Sequence, residues 1–209
     1  MELVGEGEKV LKLASLSMSN GGSLDLGDNA MIVQAEAGTR GAVLQCIAGQ
    51  IGAARNATEL WHGKGITSSV AREDGSGLWG LGAILNVDAQ GKAIYSVFEG
   101  EAVDANSVLV KYTLNGDADL NGVVDGSDYF FIDKGFLSKA GGYGNGDFDY
   151  NGVIDGSDYF LIDKAYLATH AGGGAAGVNA VPEPGMGMVV GVIAAAGLVR
   201  RRRMAVAAK

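Results

Sequence analysis

A fourteen-residue stretch occurs twice. Asn121-Gly-Val-Val-Asp-Gly-Ser-Asp-Tyr-Phe-Phe-Ile-Asp-Lys returns 30 residues later as Asn151-Gly-Val-Ile-Asp-Gly-Ser-Asp-Tyr-Phe-Leu-Ile-Asp-Lys. Identity at this level is too high for chance, so residues 114–170 are expected to hold two copies of one structural unit. That unit reads as an acidic turn followed by helical text, over Ser127–Leu137 and Ser157–Ala168.

Counted from its first aspartate, each copy holds a twelve-residue loop of the kind that wraps a calcium ion with oxygen ligands. In the first copy Asp117, Asp119 and Asn121 take places one, three and five. Gly122 is sixth, where the chain must turn sharply. Val123 is seventh and offers its backbone carbonyl. Asp125 is ninth, and Asp128 closes the loop at twelfth. The second copy supplies Asp147, Asp149, Asn151, Val153, Asp155 and Asp158 at the same places. Two Ca2+ sites are therefore expected. A plain Asp/Asn/Gly turn that binds nothing is the alternative, and the duplication weighs against it. The twelfth residue is Asp rather than Glu, one methylene shorter, so closure needs a tighter loop. Val124 and Ile154 hold the eighth place, where paired loops commonly make a short β-contact.

Neither loop is preceded by an apolar helix. Tyr112-Thr-Leu-Asn-Gly leads into the first and Gly141-Gly-Tyr-Gly-Asn-Gly into the second. With Gly116-Asp117-Ala-Asp119-Leu-Asn121-Gly122 and its copy Gly146-Asp147-Phe-Asp149-Tyr-Asn151-Gly152, the segment resembles the type I dockerin family. The resemblance covers roughly a quarter of the chain. It implies a cohesin-like partner, contacted through the last places of the loop and a pair of residues inside the helix. The matching positions are Gly126, Ser127, Asp133 and Lys134, then Gly156, Ser157, Asp163 and Lys164. Of these, Ser127, Lys134, Ser157 and Lys164 keep the required chemistry, while Gly and Asp depart from the family pattern. The surplus of apolar residues in both helices favours a second possibility, packing against the chain's own β-module.

Residues 1–113 alternate in short runs: Val10–Met18, Ser23–Leu26, Met31–Ala35, Ala93–Phe98 and Ser107–Leu114. Gly and Asn/Asp clusters part them, as expected for strands with tight turns. Thr39–Arg55 instead carries Val43, Ile47 and Ile51 at helical spacing, and predicts one amphipathic helix. Asn56–Gly82, with Trp61 and Trp79, reads as loop with short strand pieces. The fold class is thus mixed β + α. A β-rich module with one helix, either a solenoid end or a small sandwich, precedes the dockerin-like pair of loop-helix calcium units.

A small-residue linker (171–180) leads to Val181-Pro-Glu-Pro, an apolar run from Met186 to Val199, and Arg200–Arg203. Pro182, Glu183 and Pro184 with the apolar stretch and Arg200, Arg201, Arg202 and Arg203 resemble the PEP-CTERM sorting signal. That resemblance implies an exosortase-type membrane protease as partner and an exported chain, at the cell surface or secreted. Fourteen helical residues span about 21 Å, short of the ~30 Å hydrocarbon core. A single apolar helix, transiently or permanently in the membrane, is still feasible if the arginines snorkel. Met1–Glu8 lacks a basic start followed by an apolar run, so an N-terminal portion with an export signal is expected to precede it.

The formal net charge of -8 disfavours nucleic acid as a partner. One cysteine, Cys46, excludes an intrachain disulfide and is expected to be buried. Catalytic material is thin. His62 falls in loop text, His170 at a helix end, and neither joins Cys46 in a recognisable motif. The expectation is a non-catalytic exported or cell-surface protein. The alternative is the C-terminal fragment of a polysaccharide-active enzyme that docks through its dockerin.

Overall fold

Val108-Leu109-Val110 is apolar at three consecutive positions. Successive side chains of a strand point to opposite faces, so a strand built on this run must be covered on both. The computed structural model describes residues 9–19, 21–56 and 59–171, and it shows what provides that cover. In chain order the elements are strands β1 (Val10–Leu13), β2 (Ser23–Asp25) and β3 (Ala30–Gln34), helix α1 (Arg40–Arg55), β4 (Gly65–Thr67), α2 (Ser69–Glu73), β5 (Trp79–Leu85), β6 (Val97–Phe98), β7 (Glu101–Ala102), β8 (Ser107–Leu114), α3 (Gly126–Ser138) and α4 (Gly156–His170). One 3-10 turn, Tyr143–Asn145, precedes the second acidic loop.

The main sheet has four strands in the order β1-β3-β8-β5. β1 lies parallel to β3, while β8 pairs antiparallel with both β3 and β5. β2 and β4 form a separate parallel pair, and β6 and β7 a small hairpin. Alternation along the strands divides the apolar side chains between two cores. Met31, Val33, Leu81, Ala83, Val108 and Val110 pack with Ile47 and Ile51 of α1. Ala30, Ile32, Ile84 and Leu109 pack with Ile132 of α3, Ile162 of α4 and Phe148. The chain is mixed α/β: α1 covers one face of the sheet, and α3 and α4 cover the other, where a sandwich would place a second sheet. The described residues up to His170 form one compact unit.

Packing rather than capping holds α1. Thr39 at its N-cap makes no side-chain hydrogen bond, which forgoes about 1 kcal/mol. Burying Ile47 and Ile51 is worth about 1.5–3 kcal/mol each. Cys46 is a correction: it is exposed. It shares a helical stripe with Ala42, Gly49 and Ala53, all exposed, one step away from the buried Ile47–Ile51–Ala54 face.

Four further segments differ from expectation, the first being Val10–Met18, which is strand only over Val10–Leu13. Residues 79–82, read as the end of a loop with short strand pieces, form the first part of β5. Two glycines hid the alternation, and at Gly82 they are needed: a Cβ there would stand 2.5 Å from Leu120 and 2.7 Å from Tyr143. Short helix α2 was missed as well, although Ser68 caps it by accepting from the Ala71 amide at 2.9 Å. Ala93–Phe98 yields strand only at Val97–Phe98. The Asn86 side chain takes the place of a partner strand at Tyr95, accepting from its N–H and donating to its carbonyl, both at 2.8 Å.

Pro182, Glu183, Pro184, Arg200–Arg203 and the apolar run between them lie outside the described residues. Among the described residues, no helix is long and apolar enough to cross a membrane.

Candidate metal centre

Each acidic loop closes on its own helix. Asp125 caps α3, its Oδ1 accepting from the Ser127 amide at 2.7 Å, while Asp128 reaches back to the Asp125 amide at 2.8 Å. This capping box satisfies amides that a helix start leaves unpaired. Asp155, Ser157 and Asp158 repeat the first bond at 2.7 Å and the second at 3.0 Å. The second oxygen of each closing aspartate then holds the opposite end of the loop. Asp128 Oδ1 accepts from Ala118 N at 2.8 Å, and Asp158 Oδ1 from Phe148 N at 2.8 Å.

The result is two convergent carboxylate groups, Asp117 with Asp119 and Asp128, and Asp147 with Asp149 and Asp158. In each group the nearest oxygens of all three lie within 4.8 Å of one another. Asn121 and Asn151 border them, each donating from its side chain to the neighbouring Asp119 or Asp149 and accepting from the Val123 or Val153 amide. Asp125 and Asp155 stand apart from these groups and serve as helix caps. Val123 and Val153 are exposed at 51% and 59%, so their neighbourhood is open to water.

Three carboxylates at this separation repel, and burial adds to the cost. It pushes the Asp117 carboxyl up to about 7 and that of Asp128 up to about 6, with Asp119 adding repulsion to both. Asp147 and Asp158 are raised for the same first cause. A divalent cation would offset both the repulsion and the cost of burial. The donors are all oxygen, without nitrogen or sulfur, which suits a hard ion such as calcium or magnesium rather than zinc. The residues present therefore fit the group that the spacing implies.

Several contacts come from outside the loops, from residues that the spacing could not flag. Thr113 on β8 donates its hydroxyl to Asp117 Oδ2. Tyr95 donates to the Asp119 carbonyl at 2.9 Å. Arg55 and Asn56, at the end of α1, donate to the Asp149 carbonyl at 3.1 and 2.7 Å. Tyr150, inside the second loop, donates to the Leu81 carbonyl at 2.8 Å. Of the donors outside the loops, Thr113 lies nearest its loop in the chain, four residues before Asp117.

Val124 and Ile154 are buried in one shared core, but neither lies in a strand. The Ile154 δ-methyl instead fills the space beside Gly135 on α3, 2.8 Å from where a Cβ would stand. The loops are joined differently. Gly116 lies against Ile162 and Gly146 against Ile132, each close enough that a Cβ would fall 2.8 Å from the isoleucine Cα.

The chain matches no family model, no curated protein and no solved structure. The positions that the dockerin resemblance marked for a partner are placed as follows. Ser127, Ser157 and Lys134 are exposed. Lys164 is half-buried and donates to the Ser76 carbonyl at 2.6 Å. Asp133 and Asp163 accept from the hydroxyls of Tyr159 and Tyr129.

Cys46 and His62 are not brought together around a cavity. Cys46 lines a pocket of about 580 Å3 with Leu16, Met18, Val33, Val43 and Ile47, to which His62 does not contribute. His62 sits on the surface, its Nδ1 3.0 Å from the Leu60 carbonyl. His170, at the exposed end of α4, stacks on Tyr166 at 4.1 Å.

Proposed function

We propose that residues 114–170 are a dockerin-like module that binds two calcium ions, carried by a non-catalytic exported or cell-surface protein. The observation that carries this reading is the pair of acidic groups Asp117/Asp119/Asp128 and Asp147/Asp149/Asp158, with all three carboxylates of each inside 4.8 Å. Two groups of equal composition, each braced by the same helix-capping bonds, are hard to explain as surface acidity. Calcium would supply the positive charge that lets these carboxylates stay ionised while buried.

The module is braced on its own β-module in this reading. Support comes from the shared apolar core and from the Tyr95, Arg55, Tyr150 and Lys164 hydrogen bonds. The finer reading of the β-module is a solenoid end. β1 pairs with β3 and β2 with β4, both in parallel, which is how successive coils of a solenoid stack. Antiparallel β8 and β5 would then end the stack. The C-terminal tail is read as a PEP-CTERM-like sorting signal, on Pro182-Glu183-Pro184 and Arg200–Arg203.

Calcium titration of the full metal-free chain tests the central claim. Two ions should bind, and Asp117→Ala with Asp147→Ala should abolish both. A chain that melts at one temperature in chelator and in calcium would sink the reading. For the tail, an exported reporter bearing residues 181–209 should be processed in a host with an exosortase. Replacement of Pro182, Glu183 and Pro184 should stop the processing.

A further inference from the structure

We infer that the two calcium loops, identical in ligand type, are unequal in strength, with the first loop binding more tightly because the β-module places a buried cation beside the second. The inference rests on the calcium reading above and concerns what surrounds each loop.

Both loops are held at the same place, the backbone carbonyl of the third residue. At the first loop the donor is a neutral phenol, Tyr95, 2.9 Å from the Asp119 carbonyl. At the second the Arg55 guanidinium, 3.1 Å from the Asp149 carbonyl, donates beside the neutral Asn56 amide at 2.7 Å. Arg55 is only 8% exposed, and a guanidinium does not lose its proton in a protein. Among the described residues, no carboxylate lies within ion-pair distance of it. Its charge therefore acts on the second acidic group through poorly screening surroundings.

The first loop has a cation nearby too. The Lys111 Nζ lies 3.9 Å from where a Cβ on Gly122 would stand. That charge is already neutralised by Glu99 at 2.6 Å. Lys134 is exposed and so screened by water and salt. In nearby cations, the difference between the loops is one buried positive charge, at the second. A divalent cation is repelled twice as strongly as a monovalent one by such a charge, because the Coulomb energy scales with the product of charges. The hydrogen bond from Arg55 works the other way, bracing the loop. Neutral donors brace both loops, Tyr95 the first and Asn56, at 2.7 Å, the second. The comparison therefore sets the Arg55 hydrogen bond, modest in net worth, against its charge, and the charge decides it.

The test is a calcium competition titration of the full metal-free chain against a chromogenic chelator. Two steps should appear, separated by roughly ten-fold or more. Asp147→Asn, which disables the second loop, should keep the tight step, and Asp117→Asn should keep the weak one. Arg55→Met should tighten the weak step and narrow the gap. Equal steps, the opposite assignment, or a weak step loosened further by Arg55→Met would overturn the inference. If Arg55→Met proves unfolded by circular dichroism, the two Asp→Asn variants decide alone. No calcium uptake at all would strike the proposed function instead.

Discussion

The Tyr129 hydroxyl donates to Asp163 Oδ1 at 2.6 Å, and Tyr159 returns the bond to Asp133 at the same distance. Each helix of the duplicated unit thus locks the other through the same pair of positions. Burial, with the Asp163 carboxylate second, raises the Tyr129 pKa above its ordinary value, so the phenol stays a donor. Each bond joins a neutral donor to a carboxylate but stands partly in water, which places its worth at about 1 kcal/mol. Tyr129→Phe and Tyr159→Phe should each lower stability by about that much, and the double variant by about their sum. Urea unfolding in calcium measures it. A double variant as stable as the original chain would mean that the bonds contribute nothing in solution.

Glycine positions offer a sharper contrast. A Cβ at Gly82 would collide with Leu120 and Tyr143, at 2.5 and 2.7 Å, where the sheet meets the acidic loop-helix unit. Gly82→Ala should cost about 1–3 kcal/mol, the range for overpacking a core. Gly49, on the outer stripe of α1, has nothing within 4 Å of its Cβ position. There Ala should stabilise by about 0.5–1 kcal/mol, through helix propensity. Melting curves of the two variants should move in opposite directions. A shift of the same sign would show that the sheet and the loop-helix unit are not pressed together at Gly82.

These positions also show what the sequence made legible. The spacing of Asp117, Asp119 and Asp128, and of their copies, marked the residues that come together, because a loop ligand set is local in the chain. Helix α1 and strand β8 were readable from apolar spacing for the same reason. What stayed hidden was non-local. Gly82 looks like a strand breaker until Tyr143, far along the chain, is packed on it. Arg55 reads as the polar end of a helix, and only the fold sets it against Asp149. Cys46 was expected inside on residue type alone, whereas the company of Ala42, Gly49 and Ala53 on its stripe pointed outward.

Cys46 is exposed, so a thiol reagent should label the native chain fully, at one equivalent, without denaturant. Cys46→Ser should leave the melting temperature within the scatter of an ordinary surface change, about 0.5 kcal/mol or less. Labelling that waits for unfolding would return Cys46 to the interior.

The stability that calcium adds should depend on pH. Burial raises the Asp117 carboxyl from 3.8 to about 7 and that of Asp128 to about 6, and it raises Asp147 and Asp158 too. Below 3.8 these groups are protonated in the folded and unfolded chain alike. From there towards 7 the unfolded chain gives up protons that the metal-free folded chain still holds. The folded state binds the larger number, so its stability falls as pH rises. Asp104 has the opposite sign, since hydrogen bonds from Gln34 and Asn106 lower its pKa. It withdraws stability only as pH falls through that lowered value, outside this window. In chelator the chain should therefore melt higher at about pH 5 than at about pH 7.5. Calcium competes with protons for the same oxygens, so the rise in melting temperature that it brings should be larger at the higher pH. Scanning calorimetry at both values, in chelator and in excess calcium, gives the four numbers required. If the calcium-dependent rise were the same at both, the Asp117 and Asp147 groups would not be where the metal binds.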